Sequence, residues 1–136
     1  MNYLLTALMT KISGSALSSD VGGRIYLDQA PDGCEFPYIV FFIVSGVPEK
    51  TFTEDFENIL IQFSIFSASP GATEITTIYN HLDELFDECS FTITNNLLLR
   101  MNRENLTTMV EDITVANAIT TVKGWHIDYS ILIEKN

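Results

Sequence analysis

Two histidines, two cysteines and a dense group of carboxylates are the residues of this 136-residue chain whose types could do chemistry. His81 sits in a helical stretch with Glu84 at i+3 and Glu88 at i+7. An imidazole sharing a face with two carboxylates could hold a divalent metal weakly or move a proton. A solvated polar helix face produces the same spacing and is the expectation here. His126 alternates with Trp125 and Ile127, which puts it on the more polar side of a strand, without a visible partner to make it a general base. Cys34 follows a turn and has no basic neighbour or helix N-terminus to activate its thiol. Neither Cys34 nor Cys89 has a partner at metal-ligand spacing; a disulfide between them stays open, with two reduced thiols the expectation for a cytosolic product. The chain lacks a Gly-x-Ser-x-Gly elbow, a phosphate-cradling glycine loop and a His-Glu-x-x-His pair. The expectation is a protein without catalytic residues, cofactor or metal, and not an enzyme.

The carboxylates are more informative. Eighteen acids against seven bases give a net charge of -11. Such a chain is poorly suited to gripping nucleic acid phosphates or an anionic membrane, though it can let DNA pass without sticking. No Lys or Arg occurs between Lys50 and Arg100, and Asp83, Glu84, Asp87 and Glu88 crowd the end of one helical stretch. Acids there oppose the helix dipole and repel one another at i, i+4. Two uses stay open for these four residues: a solubilising surface patch, or a negative surface, such as a lumen, in an assembly.

The length bounds the fold to one domain over residues 1–136. An apolar fraction of 46% excludes global disorder. The longest apolar run, Tyr38 to Val44, is far short of the roughly 20 residues that span a bilayer. The opening "MNYLLTALMTKIS" has no basic residue before its apolar part and reads as an amphipathic helix, not a signal peptide. A cytosolic origin is the default.

Leu5, Leu8, Met9 and Ile12 give a first helix from Tyr3 to about Leu17, closed by Gly14 and "SSDVGG". A short strand, Arg24 to Asp28, leads into the turn "APDG". Pro37 then starts an extended run, Tyr38 to Val44, apolar on both sides and expected to be covered on both faces. "SGVPEKTFTED" reads as a polar connection, and Phe56 to Phe66 alternates as a half-buried strand. A second helix, capped by Ser69 with Pro70 in its first turn, carries the stripe Ile75, Ile78, Tyr79, Leu82, Leu85 and Phe86. Short strands are expected near Phe91–Thr94 and Leu97–Met101. A polar stretch follows to Thr121, with weak strand signals near Met109 and Ile113, and a strong strand runs from Lys123 to Ile133. The sum is an α+β fold, a mostly antiparallel β-sheet with two amphipathic helices packed on one face.

The many phenylalanines and the two-sided strand exceed what two helices can cover. Either the 102–121 segment folds over the core, or a neighbouring subunit completes the sheet.

The order of elements, with "GGRIYLDQAPDGCEFPYIVFFIVSG", "ENILIQFSIFSAS" and the terminal "WHIDYSILIEK", resembles the bacteriophage tail-completion or tail-terminator proteins of the neck. The Arg24–Tyr26 and Pro31–Tyr38 steps carry the likeness most specifically. The resemblance implies a structural virion protein, assembled in the host cytoplasm. It implies a homo-oligomeric, usually hexameric, ring that caps the tail tube and meets the head-tail connector while DNA passes through. It supplies no catalytic residues. The 102–121 segment would be a mobile loop or hairpin that orders on the tail tube. Two rivals remain at this point: a head-tail connector (head-completion) protein, and an acidic DNA mimic that inhibits a basic host protein. A small hydrolase would need His81 or His126 to converge with a carboxylate in a pocket.

Overall fold

The computed structural model describes residues 2–115 and 118–135. Two helices open the chain, α1 (Asn2–Ile12) and α2 (Ala16–Asp20). They replace the single helix expected to reach Leu17. Gly14 adopts a positive φ of 75° that ends α1, and the Ser15 side chain then caps α2 by accepting the Ser18 N–H at 3.2 Å. Three strands' worth of chain follows: β1 (Ile25–Leu27), β2 (Tyr38–Lys50) and β3 (Asp55–Ser67). The supposed polar connection after Val44 is therefore the far half of a hairpin, with only residues 51–54 as its turn. Residues 44–50 are all exposed and a bulge at Val44 shifts the in/out phase, so no apolar alternation marks this half in the sequence.

Helix α3 (Thr73–Phe86) buries Ile75, Ile78, Leu82 and Phe86, as its stripe predicts. Its start differs from expectation. Ala72 is the N-cap and makes no side-chain cap bond, while Ser67 Oγ donates to Glu74 Oε1 at 2.7 Å. Near Ile93 the chain makes only an isolated bridge to Asn96. The largest departure comes next: Asn96–Val115 is one twenty-residue strand, β4, paired throughout with β5 (Ala118–Lys135). Alternation is interrupted by bulges at Leu99 and Glu104, which reset the in/out phase and break the sequence pattern into fragments. The segment expected as a loop or hairpin is the hairpin; residues 116–117 lie outside those described.

The five strands lie in the order β1-β2-β3-β5-β4, with β1 parallel to β2 and every other pair antiparallel. Helices α1, α2 and α3 cover one face, so three helices rather than two build that layer. Between them and the sheet lies an aromatic cluster. Phe63 stacks on Phe41 and Phe86 with ring centroids 5.3 and 5.0 Å apart, and meets Tyr129 edge-on at 5.8 Å. All four rings are fully buried. Among the described residues no helix lies on the opposite face. Val40 and Phe42 point there and are only half-buried, so β2 is not covered on both sides.

Candidate assembly interface

The helix-free face is built by alternation: residues between the buried ones of β3 and β5 all point outward. Its central rungs are hydrogen-bonded pairs between directly opposed positions. Gln62 Nε2 donates to Asp128 Oδ1 at 2.9 Å, and Ser64 Oγ lies 2.7 Å from His126 Nδ1. His126 Nε2 faces the Met109 sulfur at 3.2 Å. A serine–imidazole pair whose far nitrogen meets a thioether lacks the acid that would orient it, so this is a cross-strand clasp. An aromatic row leads from it: His126 to Phe66 at 6.0 Å, Phe66 to Tyr38 at 5.0 Å, Tyr38 to Phe36 at 5.3 Å.

At the end of this row the segment 28–36 arches over the sheet. Gly33 supplies the turn its positive φ of 72°, as "APDG" foretells. Beneath the arch is an open cleft of about 750 Å³, floored by Tyr38, Val40, Phe42 and Phe66, with Asp28, Asp32 and Glu35 on the arch side. Ile113 of β4 closes one wall. Cys34 lies in the arch, its thiol 3.6 Å from the Tyr26 hydroxyl. That contact, together with burial, raises the Tyr26 phenol above its ordinary pKa. Both cysteines are free, and burial pushes the Cys89 thiol up.

Beyond Ser67, the last residue of β3 to pair with β5, the β4–β5 hairpin continues as a two-stranded arm. Val110 and Ile119 are strongly exposed on it. The β2–β3 turn projects from the opposite end of the sheet and carries a fully exposed Phe52.

The four carboxylates at the end of α3 divide into two kinds. Asp83 Oδ1 accepts the Tyr129 hydroxyl at 3.0 Å and lies 3.6 Å from Arg103 Nε. Asp87 Oδ1 accepts the Arg103 backbone N–H at 2.9 Å. Burial, with Asp83 adding to it, drives the Tyr129 phenol far above its ordinary range. Asp83 and Asp87 thus fasten α3 to the sheet, offsetting the dipole and repulsion costs, while Glu84 and Glu88 are exposed. Sequence reasoning missed Tyr129 and Arg103 because they come from elements far along the chain. It also missed the partner of His81. The Nδ1 of His81 bonds to Asp20 of α2, not to Glu84 or Glu88, and this bond raises the imidazole pKa above its usual value. His81 lies on the helix side and His126 on the helix-free face, so the two histidines do not converge. Among the described residues no three His, Cys, Asp or Glu side chains gather to hold a metal, and no helix is long and apolar enough to cross a membrane.

The family profile described as tail completion protein gp17 matches residues 2–126. The chain belongs to this family. It is accordingly a structural protein of the phage virion, in the tail or neck. No curated protein sequence matches it. Two solved structures share the fold at 13% identity each. One is a chain from the virion of a native gene transfer agent (GTA) particle, with a TM-score of 0.73, covering 95% of this chain and 92% of that one. The other carries no functional description; its TM-score is 0.56, covering 96% and 94%.

Proposed function

We propose that this tail completion protein acts as a non-enzymatic tail terminator: a single-domain subunit of a homo-oligomeric ring, of hexameric size, that caps the tail tube, meets the head-tail connector and lets DNA through. Family membership carries the reading. The continuous five-stranded sheet with an uncovered face, and a net charge of -11 that repels a DNA backbone, support it. The arm beyond Lys123 is the element that engages the tail tube. A two-stranded ribbon is marginal alone, and one that exposes Val110 and Ile119 gains by being covered. Native mass spectrometry and negative-stain microscopy, with and without purified tails, test the proposal. A ring-sized species on tail ends is expected; a protein that stays monomeric and never binds tails or connector would refute it.

A further inference from the structure

The sheet has two free edges, and they match. Strand β4 ends the strand order, so nothing among the described residues pairs with its outer side. On the other flank β1 pairs only with Ile39, Val40 and Phe41 of β2, so among the described residues nothing pairs with 42–50 of β2 on that side either. Unpaired edges carry rows of donors and acceptors that template another strand. These edges also carry exposed apolar side chains, Val44 and Val47 on β2, Leu97 and Leu99 on β4.

The two edges are level with one another. Val47 pairs with Asn58, Asn58 with Leu132, and Leu132 with Arg100, so Val47 and Arg100 stand on one row across the sheet. Three antiparallel pairings separate β2 from β4, so the two run in opposite directions. When copies of the chain are repeated by rotation about an axis roughly along the strands, each strand keeps its direction. The β4 edge of one copy then meets the β2 edge of the next as an antiparallel pair, on the same row. That contact is heterologous and closes into a ring. Charge favours it. Residues 96–103 of β4 hold no acid and two arginines, Arg100 and the Asp83-paired Arg103, while the β2 edge and its turn hold Glu49 and Glu54 against one Lys50. Among the described residues Arg100 makes no salt bridge. Pro48 has no N–H to offer a ladder, and bulges interrupt both edges. Such features keep a lone subunit from pairing indiscriminately.

We propose that residues 42–50 of β2 and 97–103 of β4 are the two halves of an edge-to-edge contact between copies of this chain, joining their sheets into one closed sheet. This rests on the ring reading above and specifies its joint.

The test is disulfide trapping in a Cys34→Ser, Cys89→Ser background. Arg100→Cys is combined in turn with Ser45→Cys, Val47→Cys and Glu49→Cys, three positions on one side of β2 that allow for stagger between copies. At least one pair should oxidise to a covalent ladder ending at the ring size, because paired strands bring Cα atoms within disulfide reach. Rings seen by native mass spectrometry without any cross-link would overturn the edge contact and leave the ring intact. Absence of rings even on tails would overturn both. In parallel, Leu99→Lys places a charge at an exposed bulge that the free subunit tolerates. Its circular dichroism and urea midpoint should stay unchanged while the concentration needed for ring formation rises at least about tenfold. Unchanged assembly of this variant would also count against the contact.

Discussion

The hydroxyl of Tyr129 reaches Asp83 Oδ1 at 3.0 Å from a ring that is wholly buried. Removing the acceptor leaves a buried donor without a partner, which costs about 1–3 kcal/mol. Asp83→Ala should lower stability by about that much in urea titration, whereas Glu84→Gln and Glu88→Gln should stay within about 0.5 kcal/mol. Equal effects from all three would mean that Asp83 is no anchor. His81 adds a pH-dependent clasp between α2 and α3. Its folded pKa is raised, chiefly by the hydrogen bond to Asp20. The clasp is therefore fully formed below the ordinary histidine value of about 6.5, and is lost as pH rises through the higher folded value. With a third of the imidazole exposed, the pair is worth at most about 1 kcal/mol. Thermal melts of His81→Gln should fall below wild type near about pH 6 and converge with it near about pH 9; a gap that widens with pH would reverse the assignment.

At the scale of elements, the docking role proposed for the arm can be tested apart from folding. Asp112 and Thr121 are paired, and the Thr121 hydroxyl donates to Asp112 Oδ1 at 2.7 Å. Replacing residues 113–120 by Asn-Gly closes the hairpin at that rung with a favoured two-residue turn. The shortened protein should lose less than about 1 kcal/mol, since an isolated ribbon contributes little to the fold. It should no longer bind tails in co-sedimentation, and full binding would remove the arm from the interface. This element shows where the sequence was legible. The stripe of α3 and the alternation of Ile59 to Phe66 and Trp125 to Ile133 are buried or half-buried on one face, so their periods survive in the sequence. Strand β4 is exposed along most of its length and bulged twice, so no constant selection for apolar residues marks it. The same holds for the far half of β2. What could not be read was contact between distant segments: Asp20 with His81, Arg103 and Tyr129 with the acids of α3. The four acids looked alike in sequence because the residues that divide them lie on other strands.

For the whole molecule, the question is which charge a passing DNA would meet. A ring closed through β2 and β4 turns one face of its sheet to the axis. All three helices lie on the other side from Gln62, Ser64, Asp128 and Ser130. Helices packed on the outside of a closed sheet have more circumference available than helices packed inside it, so the helix-free face is the better candidate for the lumen. Asp128 and Glu104 flank a shallow hollow on that face, whereas exposed Glu84 and Glu88 ride on α3. On that arrangement the acidic patch on α3 would belong to the outer surface, and the proposed lumen would take its negative charge from the strands. Two variants separate these arrangements, because neither touches the anchors Asp83 and Asp87. Glu104→Gln with Asp128→Asn keeps an acceptor for Gln62 while removing two charges per subunit. Glu84→Gln with Glu88→Gln removes two from the helix side. Both proteins should fold with wild-type urea midpoints and cap tails. Virions carrying the first variant should release DNA more slowly, since a less negative wall repels the phosphate backbone less. Those carrying the second should release it at the wild-type rate. The opposite ranking would put the helices inside the ring and make the α3 carboxylates its lining.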